Sequence, residues 1–479
     1  MLFRDSRGTC GYDSTPGMGN HTLRLLAAVT AIGAFCDAAC GQYSSTNYSI
    51  ERWDEDYSYL KDPANRNDLF DPIKYVAIGG DDSYLSFGGQ ARYRYDYFNN
   101  TGFGSGVQDE TGFHLVRLLA HVDAHFGPNL RAFVQINSGL EFDRSGGPRP
   151  GDTDDFDFQQ AFADLSLPLH QIGSVTLRVG RQELIYGAQR LVSPNDWANV
   201  RRTFEGAKLS VSLPNDTLDL FWVRPVIIEK TRLNSGDNHT SFAGIYNVTA
   251  FPDLLPSANA RLDAYLLALN QWRSSTNPVD ADTLTLGVRP HANPVPWDFD
   301  VEADWQFGSR DSRAICAWSV AAEGGYTFTN LKFTPRASLG MDAASGSPDP
   351  IHRFNQLFPP QYLFLGHMYL FGRENILDLN PGLTLNLRED LTLSAAEHVF
   401  WRQNTNDAVY DLNDHVVRAV DSSHAASVGN EFDLNLFWQI NRHLSAYAGY
   451  AHFFAGSFLG HTGPHSDEDF FYASMMFSF

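Results

Sequence analysis

From Tyr84 onward, large apolar and polar residues alternate in stretches of roughly ten residues, the length a tilted transmembrane strand needs. In YLSFGGQARYRYDYF (84–98), Leu85, Phe87, Ala91, Tyr93, Tyr95 and Tyr97 share one parity, and Ser86, Gln90, Arg92, Arg94 and Asp96 the other. In DFDVEADWQF, Phe299, Val301, Ala303, Trp305 and Phe307 oppose Asp298, Asp300, Glu302, Asp304 and Gln306. VRLLAHVDAHF (116–126), LKFTPRASLGM (331–341) and EFDLNLFWQI (431–440) repeat the pattern. A period of two places successive side chains on opposite faces of a strand. No helical period of comparable strength follows residue 84.

About eighteen such segments fit between Tyr84 and Phe479, with the weakest alternation over 224–297, so that 16 strands remain an alternative. The connections alternate short and long. FGPN (126–129), LPND (213–216), FTN (328–330), RED (388–390) and INRH (440–443) are short; 99–111, 142–155, 185–202, 342–374 and 404–426 are long. The predicted fold is all-β: a transmembrane antiparallel β-barrel with short periplasmic turns and long extracellular loops. A soluble sheet would need cover for its apolar face, and no helical segment offers it. The final FYASMMFSF alternates in the same way and reads as the closing strand, since only closure leaves no edge.

Composition agrees. The chain has 479 residues, 35 Phe and 20 Tyr, and a formal net charge of -21, which excludes a nucleic-acid partner. The run Leu25–Cys36 behind Arg24 has signal-peptide length. The predicted organisation is a signal-peptide region over 1–41 (with Met18 a second candidate start), an N-terminal periplasmic segment over 42–83, and the barrel over 84–479. Cys10, Cys36 and Cys40 lie in or before the leader, leaving Cys316 and no disulfide framework.

No nucleophile–base constellation stands out, and no cofactor or metal site is predicted. The acidic row 298–304 and the row His121, Asp123, His125 read as the lining of a wet lumen. The same alternation puts many basic groups on the polar face: Arg92, Arg94, Arg117, Arg131, Arg178, Lys208, Arg224, Arg289, Lys332, Arg336, Arg388 and Arg402. Guanidinium forks match carboxylates, and basic rings in pores favour anions. Balanced acidic and basic rows fit a general or small-solute porin equally.

LRVGRQELIYGAQRLVSPNDWANVRRTFEGAKL (177–209), with DYSYLKDPANRNDLFDPIKYVAIG (56–79), RAFVQINSGLEFDRSGGPRPGDTDD (131–155) and FNQLFPPQYLFLGHMYLFGRENILDLNPGL (354–383), resembles the alginate export family of outer-membrane barrels. The resemblance implies a monomeric 18-stranded barrel in the bacterial outer membrane. It implies an arginine-lined constriction that passes an anionic polyuronate, gated at its ends by loops and a turn. By the same resemblance, Arg181, Arg190, Arg201 and Arg202 are candidates for that constriction or its ceiling; by alternation alone Arg181 shares the face of Leu177 and Val179. The expected function is a channel for an anionic solute, with export of an acidic exopolysaccharide such as alginate as the specific form. A general or small-solute porin is the alternative, and an outer-membrane enzyme a more distant one. The expected partners are outer-membrane lipid and lipopolysaccharide, the anionic polysaccharide or small anion, and periplasmic export proteins.

Overall fold

The computed structural model describes residues 48–479 except 81, 109–110, 150, 171, 255–257 and 275–277; the proposed leader with Cys10, Cys36 and Cys40 lies outside the described residues. Eighteen long strands follow one another along the chain. They are β1 (Tyr84–Asn99), β2 (Phe113–Phe126), β3 (Leu130–Phe142), β4 (Asp154–Pro168), β5 (Ser174–Gln182) and β6 (Phe204–Ser212). Next come β7 (Asp216–Ile227), β8 (Thr240–Ala250), β9 (Arg261–Gln271), β10 (Ala281–Ala292), β11 (Trp297–Arg310) and β12 (Arg313–Thr327). The last are β13 (Arg336–Ala344), β14 (Ile376–Arg388), β15 (Leu391–Arg402), β16 (Ser427–Gln439), β17 (Leu444–Ala455) and β18 (Glu468–Ser478). Each pairs antiparallel with its neighbours, and β18 returns to β1 in the register Gln90↔Ser478 through Asn99↔Asp469. The sheet is a closed barrel.

Alternation sets which way each side chain points. In β11, Trp305 is 49 % exposed while Glu302 is 3 % exposed. Leu118, Val134, Leu286, Leu339, Leu434 and Met475 continue the exposed apolar band around the outside. An uncovered band of this kind is stable only against lipid. The segments over 224–297 supply β8, β9 and β10, which settles the strand number at eighteen rather than 16.

Two connections stand out against the short–long alternation. At the loop end, β11 and β12 are joined by Asp311 and Ser312 alone, both at positive φ (46° and 65°), the backbone of a type I′ hairpin. At the turn end, the connection after β12 runs over 328–335 instead of ending at residue 330. Phe333 and Thr334 adopt positive φ, and Pro335 offers no N–H to a ladder. Lys332 is therefore exposed in this turn, with its ammonium 4.5 Å from the Phe333 ring centroid, and not on a strand face.

The interior is not an open tube. Loop 183–203, after β5, folds inward and meets loop 345–375, which follows β13. Val192 and Phe358 form a bridge between them, with Ser193 donating to the Phe358 carbonyl at 3.0 Å. Leu184, Leu191 and Trp197 of the first loop and Phe354, Met368 and Phe371 of the second join inward residues of the wall in one buried apolar cluster. At the turn end, residues 48–79 fold against the wall in short helical turns. Tyr57, Leu60, Tyr75 and Tyr84 make a second small core there.

Candidate functional site

The lumen is organised by arginines that grip loop 183–203. Arg92 and Arg94 stand on β1 and Arg117 on β2, all turned inward and buried. Arg92 donates to the carbonyls of Asp196 (2.7 Å) and Ala198 (2.9 Å), and Arg94 to that of Trp197 (2.6 Å). Arg117 donates to the Asp196 carbonyl (2.8 Å) and to its Oδ1 (2.8 Å). Asn199 supports the same stretch, its side-chain amide reaching the carbonyls of Val116, Leu140 and Asp152 at 2.9–3.1 Å. Arg94 also lies 3.9 Å from the Trp197 ring centroid and pairs with Asp96. The loop can turn inward because its buried carbonyls find these donors; left bare, each would cost roughly 1–3 kcal/mol.

Within the loop, Arg201 pairs with Glu183 at 2.6 Å and Asp196 at 3.5 Å. Arg202 donates to the carbonyls of Ser193 and Pro359 at 3.0 Å, tying the two inner loops together. Burial works to raise the Asp196 carboxyl, but Arg117, Arg201 and Arg92 overcome it and hold that group below the usual carboxylate range. Burial raises Glu183 and lowers Arg202 to about 10. Five guanidinium groups (Arg92, Arg94, Arg117, Arg201 and Arg202) thus surround three carboxylates (Asp96, Glu183 and Asp196) in this girdle, an excess of positive charge.

Toward the turn end the same side of the barrel carries Arg131 on β3, Arg178 on β5 and Lys208 on β6. Arg131 pairs with Asp123, which also meets His125; Arg178 makes a two-pronged pair with Asp164 at 2.8 Å; Lys208 lies 3.5 Å from Asp219. Opposite in sign are β9 to β16. Arg289 sits between Asp263 and Asp300, and Arg336 between Asp298 and Glu323. Arg190 reaches from loop 183–203 to Asp300 (2.8 Å) and Glu302 (3.0 Å). Around them, Asp304, Asp342, Asp378, Glu431 and Asp433 are buried, with the Tyr265 hydroxyl within hydrogen-bond reach of both Glu302 (2.6 Å) and Asp304 (2.7 Å) and able to donate to one of them at a time. The lumen is electrically two-sided.

Two further arginines lie away from it. Arg181 keeps the outward parity of Val179, beside exposed Phe158 and Trp222 at the loop end of β5. Asp157 at 2.9 Å and Glu205 at 2.6 Å hold it there, so it cannot serve a constriction. No bulge interrupts β5 to turn it round. Arg402, at the loop end of β15, donates to the carbonyls of Ala425 and Asp407 and stacks 3.8 Å from the Phe458 ring, so it anchors loop 403–426. Conversely, alternation gives no warning of Asp196, Trp197 or Trp53, because all three lie outside the strands. The signal that was present is composition: FNQLFPPQYLFLGHMYLFG is too apolar for a loop bathed in water.

A sequence model of the family described as alginate export matches residues 83–473. No curated protein matches the sequence significantly. Among solved structures, the chain is similar to three outer-membrane-type barrels of Pseudomonas aeruginosa. OccK8 (OprE) aligns with TM-score 0.57 and 11 % identity over 82 % of this chain and 98 % of that one. OpdK, crystallised with vanillate, aligns with TM-score 0.56 and 11 % identity over 85 % and 99 %. OccD3 (OpdP) aligns with TM-score 0.55 and 11 % identity over 91 % and 98 %. At this identity the likeness is one of fold.

Proposed function

This chain belongs to the alginate export family, an outer-membrane β-barrel channel by family and by fold, and we propose that the solute it conducts is an anion. The observation that carries the proposal is the girdle of Arg92, Arg94, Arg117, Arg201 and Arg202 around segment 196–202, with more guanidinium groups than carboxylates. The overall charge of -21 is shared between the loops and the acidic rows of β9 to β16, and at physiological salt charges beyond about 8 Å from the girdle are screened. Fixed cations inside a narrow wall act on every passing charge. Arg92, Arg94, Arg117 and Arg201 are buried and already bonded to the chain, so they act on a passing polyanion through their field and not by direct contact, which attracts it without trapping it. An acidic polysaccharide such as alginate, leaving the cell through a single closed chain, is the form of this reading that the family favours.

A general or small-solute porin is the second reading, and one observation favours it. The row Asp263, Asp300, Glu302 and Asp304 faces the same lumen with the opposite sign. Polymer block in planar bilayers separates the two. The exporter reading expects alginate fragments to interrupt the current at concentrations where neutral dextran of equal size does not. A porin is expected to respond to size alone.

A further inference from the structure

Residues 48–57 run along the basic side of the barrel from its turn end, and their contacts are those of a ligand. The Ile50 carbonyl accepts from both terminal nitrogens of Arg201 at 3.3 Å. The Trp53 carbonyl accepts from Arg131. The Trp53 ring lies 3.7 Å from the Arg178 guanidinium carbon and 5.6 Å from the Lys208 ammonium, with Phe162 edge-on at 6.3 Å. Glu51 and Asp54, on the same stretch, feel the charges of Lys208, Arg178 and Arg131. Four cations from β3, β5, β6 and loop 183–203 thus converge on a ten-residue acidic segment of the chain itself.

The fit is incomplete in a specific way. Arg178 Nη1 and Trp53 Nε1 are both buried without a hydrogen-bond partner. A buried donor without an acceptor costs free energy, more so when it carries charge. A carboxylate-bearing solute brings acceptor oxygens that the segment fails to supply at Arg178, so it has something to gain by taking the segment's place.

We propose that Glu51, Trp53 and Asp54 form a tethered acidic strap over the cationic trough of Arg131, Arg178, Lys208 and Arg201, and that a carboxylate-bearing solute displaces these side chains while Arg52 stays anchored at the barrel seam. Displacement rests on the anion reading above; occupancy does not. A tether of this length holds its ligand at an effective concentration of order mM, so a solute must out-compete the strap before the trough conducts.

The test compares the full chain with Trp53→Ala, which removes the ring stacked on Arg178 and leaves Glu51, Arg52 and Asp54 in place. Both are measured in planar bilayers with oligogalacturonate as the probe. The variant should show a larger single-channel conductance, and its half-blocking oligogalacturonate concentration should fall at least about tenfold. A synthetic peptide of residues 47–58, added from the turn side, should close the variant again and raise its half-blocking concentration. Trp53→Leu should move both readings in the same direction if Trp53→Ala does not assemble. Unchanged conductance and unchanged half-block in an assembled variant would overturn the strap. A conductance increase reversed by peptide, with oligogalacturonate inert on both channels, keeps the strap as an occupant and overturns the anion reading instead.

Discussion

Arg52 and Phe479, 427 positions apart, are joined by a hydrogen bond of 2.7 Å from the guanidinium to the main-chain carbonyl. The same guanidinium donates at 3.1 Å to the carbonyl of Gly89 on β1. One buried side chain thereby staples both sides of the seam at which the barrel closes. Phe479 itself pairs with Gly89 through two main-chain bonds of 3.0 Å, and its ring packs 4.8 Å from that of Phe70. Gly89 is required there: a Cβ at that position would lie 2.9 Å from the Phe479 ring and from the Leu119 carbonyl.

Arg52→Ala should therefore weaken closure. Hydrogen bonds to a charged donor are worth about 1.5–3 kcal/mol, so the temperature at which the folded band converts to the unfolded one on a heat-modifiability gel should drop. Arg52→Lys should rescue little, because a point charge cannot fork between two carbonyls. An unchanged conversion temperature in Arg52→Ala would mean the seam holds without this staple.

The facing of the wall is checked at Ala303 on β11. Arginine there, on the lipid side near mid-strand, should cost about 2–4 kcal/mol. Arginine at Ser394, on the inward row of β15 beside Asn435, should cost far less. Should a cysteine at 303 react freely with water-borne reagents in intact membranes while one at 394 does not, the register is wrong by one residue.

What could be read from sequence was the part governed by a period of two. Closure and the inward aspect of Arg92, Arg117, Arg178 and Arg289 follow from parity, because a strand has only two faces; the strand number did not, since the weak alternation over 224–297 left 16 open. Parity is silent about what fills a barrel. Arg92 and Arg117 were legible as inward cations, yet their partners are carbonyls of a loop 79 or more positions away. Lys332 was misplaced because Leu331 and Phe333 continue the alternation across a turn that Pro335 prevents from being a strand. Arg181 shows the reverse: the motif suggested a constriction, and the parity of its strand gave the better answer.

Loop 183–203 should loosen in Arg117→Ala. The change removes a donor from the carbonyls of Asp196 and Ala198 and from the Asp196 carboxylate, which is 31 % exposed, at a cost of about 1–3 kcal/mol. Single-channel records should show raised, flickering conductance, with Arg117→Lys intermediate. A steady trace at the parental level would show that the loop is held by its apolar contacts alone.

Strap docking should depend on pH through Glu51, which burial pushes up to about 7 from 4.5 against the pull of Lys208. A raised carboxyl favours the protonated, docked form. Docking is therefore strongest below pH 4.5 and weakens as pH rises through about 7, by at most about tenfold per pH unit for one group. Glu183 and Asp54 add to this push, and Arg178 opposes it. Lys74, lowered by burial to about 7, contributes mainly above that pH, where loss of its charge favours docking. The open fraction should climb from pH 5 to pH 7, and Glu51→Gln should flatten that climb. An identical climb in Glu51→Gln would assign the pH response to another group.

The central claim is that the arginines of the girdle, and not the charge of the whole chain, set which ions pass. The reversal potential of one reconstituted channel across a tenfold potassium chloride gradient tests it in a single reading. The account predicts the sign of a chloride-selective pore, shifting toward zero or the cation side when Arg92, Arg117, Arg201 and Arg202 are replaced together by glutamine. A parental channel that reverses on the potassium side, unchanged in that variant, would contradict it.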